Sequence, residues 1–158
     1  GWGTIQGFKR GELDLHALFL GSLKRASPHV RQYGRILEIM AMQTELAKRY
    51  RRVRSLVATS GGFSYQGPKS LEMVFAKGLK MGSGLIEETI DIIGGKSLEL
   101  SDSQRIHRID MIYGQMQQLI LCSDVLLKGS YSLGKMKEKM QSDAGISGWM
   151  FGINGDMK

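Results

Sequence analysis

The chain has 158 residues, 42% of them hydrophobic and 23% charged, with a net charge of +7. That length suits one domain burying about 70% of the surface its unfolded chain would expose, and the composition excludes a disordered polyelectrolyte. The single cysteine, Cys122, excludes an intrachain disulfide, and no apolar run approaches a membrane span of roughly 20 residues.

A reducing intracellular setting follows as the expectation: cytoplasm, nucleus or the periphery of a membrane. The start at Gly1-Trp2-Gly3, without Met, points to a fragment or a processed product. Only Pro28 and Pro68 interrupt the chain, so long stretches are free of helix breakers.

Residues 1–10 contain three glycines and no clear period, and read as an N-terminal arm. A first helix is predicted from about Glu12 to Lys24, with Leu13, Leu20 and Phe19 or Leu23 as its apolar stripe. Glu12 and Asp14 at its start and Lys24 and Arg25 at its end complement the helix dipole. Ser27-Pro28 is a strong start signal, since serine caps orphan amides and proline fits the first helical position.

From Pro28 to about Ala58 one long central helix is predicted, with Gly34 its internal weak point. It carries two apolar stripes: Val30, Tyr33, Leu37 and Met40, then Ile39, Met42, Leu46, Tyr50, Val53 and Val57. Their overlap at Ile36 to Met42 predicts a segment almost surrounded by other elements. Thr59 to Pro68 reads as an aromatic loop. Helices over about Lys69–Lys80 and Ser83–Ile93 follow, either separate or as one kinked helix, and Gly94-Gly95 stops them.

Ser101 and Gln104 form a capping-box pattern. The helix they open, about Asp102 to Lys128, presents Ile106, Ile109, Ile112, Tyr113, Met116, Leu119, Ile120, Leu126 and Leu127 over nearly half its circumference. A last short helix is predicted at about Ser132–Ser142. The expectation is an all-α, single-domain bundle of five or six helices over 1–144, with the 28–58 helix packed on the 102–128 helix. A Gly-rich apolar tail over 145–158 completes it.

The run Lys48, Arg49, Tyr50, Arg51, Arg52, Val53, Arg54 places five cations in seven positions. Such density calls for a polyanion. On a helical wheel Leu46, Tyr50, Val53 and Val57 form a band about 60° wide, and the cations fill the remaining arc, so the run is an amphipathic helix end. Only Glu45 is close in sequence to offset it, and Glu87, Glu88 and Asp91 are the best distant acids. Phe63 and Tyr65 adjoin the run, as rings that stack bases adjoin cations in single-strand binders. Lys9, Arg10, Lys24, Arg25 and Arg31 extend the basic surface if the first helix packs nearby.

Other features carry little chemistry. Gly94-Gly95-Lys96-Ser97 lacks the glycine a P-loop needs at position 90, which is Ile90, and follows a helix rather than a strand. His16, His29 and His107 are scattered and read as surface residues. Cys122 reads as a buried structural thiol. Ten methionines suit an irregular helical core. Trp149, Met150 and Phe151 form an apolar cluster that would contact a partner or a second copy.

The expectation is therefore a non-enzymatic protein without cofactor, metal or small-molecule substrate. It would bind nucleic acid, RNA or single strands above all, through Lys48, Arg49, Arg51, Arg52 and Arg54, with Phe63 or Tyr65 stacking, and self-associate as a homo-oligomer. A basic, methionine-rich, proline-poor helical chain is similar in composition, though in no motif, to nucleocapsid or matrix domains of RNA viruses. That resemblance implies a structural or assembly role. The alternatives are a peripheral matrix protein meeting an anionic membrane surface and a helical adaptor docking an acidic protein.

Overall fold

The computed structural model describes residues 2–59, 66–95 and 99–150. Among these, five helices follow in order: α1 (Trp2–Arg25), α2 (Pro28–Arg31), α3 (Arg35–Thr59), α4 (Gln66–Ile93) and α5 (Asp102–Met150). The chain is an all-α bundle in which the long central helix α3 packs against α4 and α5, and α1 packs against α4. Two compact units are distinguished, Gly1–Ser123 and Asp124–Lys158. The first holds α1 to α4 and the start of α5, and the second holds the rest of α5.

The core of the first unit draws on every helix. Phe19, Val30, Ile36, Ile39, Met40, Leu46, Leu79, Ile86, Ile92, Ile93, Ile109, Ile112 and Met116 are all buried in one cluster. Each large side chain sealed from water in this way contributes about 1.5–3 kcal/mol. On α5 the expected face is the observed one, with Ile109, Ile112 and Met116 buried and Tyr113, Leu119 and Ile120 packed beside them.

The central helix starts at Arg35 rather than Pro28. Ser27 Oγ accepts from the Val30 amide and Pro28 occupies the first turn, as the start signal predicts, but α2 ends at Arg31. The Tyr33 amide then turns back to the Val30 carbonyl (3.1 Å), and the Tyr33 carbonyl accepts from the Ile36 amide (3.1 Å). Gly34, the poorest helix former of the stretch, sits at the break. Beyond this turn the Tyr33 hydroxyl donates to Asp110 on α5.

Of the first predicted stripe Val30 and Met40 are buried and Tyr33 packs against the core, but Leu37 is exposed, as are Glu38 and Ala41, so Ile36 to Met42 is not surrounded. One seam remains, running Ile36, Ile39 and Met40, Gln43, Leu46 and Ala47, Val53.

Two further boundaries, in α1 and α5, differ from expectation, and the alternative left open at α4 resolves to one helix. Helix α1 reaches back to Trp2, because glycines lower helix propensity by only about 1 kcal/mol each and do not forbid it. Its buried face uses Phe19 and Ser22, while Leu20 is exposed. Helix α4 runs unbroken through Met81-Gly82-Ser83-Gly84. Helix α5 continues through both the predicted short helix and residues 145–150, which the glycines had marked as irregular.

The signals at helix ends are as read. Gly95 takes φ +77° after α4, the left-handed conformation that glycine adopts without strain. The capping box is complete: the Ser101 amide donates to Gln104 Oε1 (2.9 Å) and the Gln104 amide to Ser101 Oγ (3.2 Å).

Candidate functional site

Each residue of an α-helix turns the chain by 100°, so residues 44, 48, 51, 52 and 55 of α3 share one stripe. Thr44, Lys48, Arg51, Arg52 and Ser55 are all exposed. On the opposite side Leu46 and Val53 are buried and Tyr50 is half-buried against the core. The seam residues anchor the helix and fix which way the cations point.

Arg49 and Arg54 lie on the two flanks, and each is used within the fold. Arg49 Nε pairs with Glu45 one turn earlier (3.1 Å). Its Nη1 reaches α5, donating to the Ile120 carbonyl (3.1 Å) and to Ser123 Oγ (2.6 Å). Ser123 is itself buried and donates onward to the Ile120 carbonyl (2.7 Å). On the other flank Arg54 Nε pairs with Glu72 of α4 (3.3 Å). Thus α5 and α4 each take one arginine of the run.

The five cations therefore separate into an outward group, Lys48, Arg51 and Arg52, and a tertiary pair, Arg49 and Arg54. Glu45 and Glu72 supply the compensating acids; Glu87, Glu88 and Asp91 are exposed on α4. Phe63, Tyr65 and Phe151 lie outside the described residues, and Trp149 and Met150 close the last turn of α5. Arg31, exposed on α2, donates to the Ala26 carbonyl (3.0 Å).

Other side chains fall where their chemistry does little. His16, His29 and His107 are exposed, as expected. Cys122 is exposed too, contrary to expectation, because α5 turns Ser123 rather than its neighbour toward α3. Met40 and Met116 are core residues, whereas Met73, Met81 and Met111 are exposed. Among the described residues no three of His, Cys, Asp and Glu gather as a metal site, and no helix is long and apolar enough to cross a membrane.

A second polar assembly joins α3 to α5 and has no counterpart in the sequence reading. Asp110 accepts from the Tyr33 hydroxyl and from Arg35 Nη1 (3.0 Å). The Arg35 guanidinium stacks over the Tyr113 ring, 4.7 Å from its centroid. Glu38 lines one groove with Tyr113 and raises the pKa of its phenol. Its sequence signal is Asp110 itself, an acid within the apolar face Ile109, Ile112, Tyr113.

Beside this assembly runs an open groove of about 340 Å³, lined by Glu38, Ala41, Met42, Glu45, Tyr113 and Ile120. Its charged groups are carboxylates, opposite in sign to the basic stripe. It does not extend the cationic face.

No protein-family model, curated protein or solved structure matches this chain.

Proposed function

We propose that the chain binds a polyanion, single-stranded RNA in the first place, through Lys48, Arg51 and Arg52 on the exposed stripe of α3. The observation that supports this reading is the co-alignment of those three cations on one helix face, while Arg49 and Arg54 are turned to neighbouring helices. The three span about 6 Å along the helix axis, and their long side chains let them reach two or three successive phosphates of a strand. Such contacts position a strand without reading its bases, consistent with a packaging or assembly role rather than sequence-specific control.

The test is a salt titration of binding to single-stranded RNA, duplex DNA and anionic vesicles, with Lys48→Ala/Arg51→Ala/Arg52→Ala beside the wild type. If three phosphates are neutralised, the slope of log K against log salt falls by about 2 units in the variant. An Arg54→Ala variant keeps the wild-type slope. Equal slopes for wild type and triple variant refute the assignment to this face. Vesicle binding without RNA binding replaces the reading with a peripheral membrane role, and binding to neither leaves an acidic protein as the partner to seek.

A further inference from the structure

The outer face of α4 is also ordered by charge. Ser70, Met73, Val74, Lys77, Lys80, Met81, Gly84, Glu87, Glu88 and Asp91 are exposed without exception, and at 100° per residue they fall within an arc of about 140°. The stripe runs about six turns, or about 32 Å. Its cations, Lys77 and Lys80, precede its centre; its acids, Glu87, Glu88 and Asp91, follow it.

Within the helix this arrangement is unfavourable. Side chains three and four residues apart are neighbours, and opposite charges there stabilise while like charges oppose each other. Lys77 has Lys80 at that distance, and both Glu87 and Glu88 have Asp91. Among the described residues, Lys77, Lys80, Glu87 and Glu88 have no ion-pair partner. Met73, Val74 and Met81 lie on the same face, Met73 with 72% of its surface exposed. Gly84 sits near the middle, with nothing within 4 Å of where a Cβ would be.

We infer that this face pairs antiparallel with the same face of a second copy. A two-fold axis near Gly84 sets Lys77 and Lys80 of one copy against Glu87, Glu88 and Asp91 of the other, twice over. The interface is then self-complementary, as a two-fold dimer requires. Gly84 of each copy faces Gly84 of its partner, where the missing side chains let the helices approach. A parallel pairing would put lysines against lysines and acids against acids. One helix pair is a small interface, so the dimer is weak and exchanges readily. The inference does not depend on the polyanion reading.

Charge reversal tests it on the full chain, by sedimentation velocity up to about 100 µM, a range chosen for a small interface of micromolar affinity. Lys77→Glu/Lys80→Glu and Glu87→Lys/Glu88→Lys alter only exposed positions, and circular dichroism confirms that both fold. The wild type dimerises, each reversal raises the dissociation constant about 30-fold or more, and an equimolar mixture of the two reversals dimerises again. A monomeric wild type overturns the proposal, and so does a mixture that fails to associate. A dimer that both reversals leave intact overturns it as well, and assigns association to another surface, residues 145–158 first.

Discussion

At the scale of single residues, two positions show how closely α3 is fitted. Gln43 is a buried amide on the seam, donating from Nε2 to the Leu79 carbonyl (3.3 Å) and to Ser83 Oγ (3.1 Å). Gly82 lies beneath it, and a Cβ there would collide with Gln43 Oε1. Alanine in place of glycine favours a helix by about 1 kcal/mol. Displacing the amide loses two hydrogen bonds, one buried and one part-buried, of about 1 kcal/mol each and leaves Gln43 Nε2 unsatisfied. The loss exceeds the gain, and Gly82→Ala destabilises by about 1–2 kcal/mol. In a Gln43→Ala background the same change stabilises, a reversal that a denaturant double-mutant cycle reads directly.

The tyrosines give a pH signature. A hydrogen bond to Asp110 raises the Tyr33 pKa above its ordinary value of 10.0, and Glu38 does the same for Tyr113. The fold favours the protonated phenol, so this stability is whole below pH about 10 and fades as pH rises through the raised values. The melting temperature of the wild type therefore falls more steeply between pH 9 and 11 than that of Tyr33→Phe/Tyr113→Phe, about the ordinary tyrosine value.

At the scale of elements, Arg49 ties α3 to α5 by charged hydrogen bonds, whereas Arg52 points to solvent. Hydrogen bonds of a charged group are worth about 1.5–3 kcal/mol, and removing Arg49 also leaves Ser123 without that donor. Arg49→Ala is expected to cost about 2 kcal/mol and Arg52→Ala no more than about 0.5 in chemical denaturation. Two residues three apart in one charge run thus differ in kind. Periodicity made the seam of α3 and the face of α5 legible, and local pattern made the capping box and the Gly95 stop legible. The break at Gln32–Gly34 was legible only as a weak point at Gly34, since the contact Tyr33 makes there is to Asp110, distant in sequence. For 69–93 the sequence left one helix and two both open, and the start of α1 and the length of α5 were hidden by glycines whose local penalty tertiary packing outweighs. Likewise the wheel placed the basic run correctly on an amphipathic helix, yet the diversion of Arg49 and Arg54 rests on Ser123 and Glu72, which no local pattern connects to them.

At the scale of the molecule, charge is distributed over separate faces: cations outward on α3, a divided stripe on α4, carboxylates along the groove between α3 and α5. Three phosphate contacts alone give weak binding. Two copies joined through α4 would present two cationic faces, and the second contact would then form at high effective concentration. The flanking ties also have an entropic consequence. A disordered arm bearing the same seven residues would lose about 1–2 kcal/mol per residue in backbone freedom on being ordered against a strand. Here the backbone is already helical, with Arg49 held to α5 and Arg54 to α4. The side chains that remain to be ordered when an anion arrives include those of Lys48 and Arg52, both exposed.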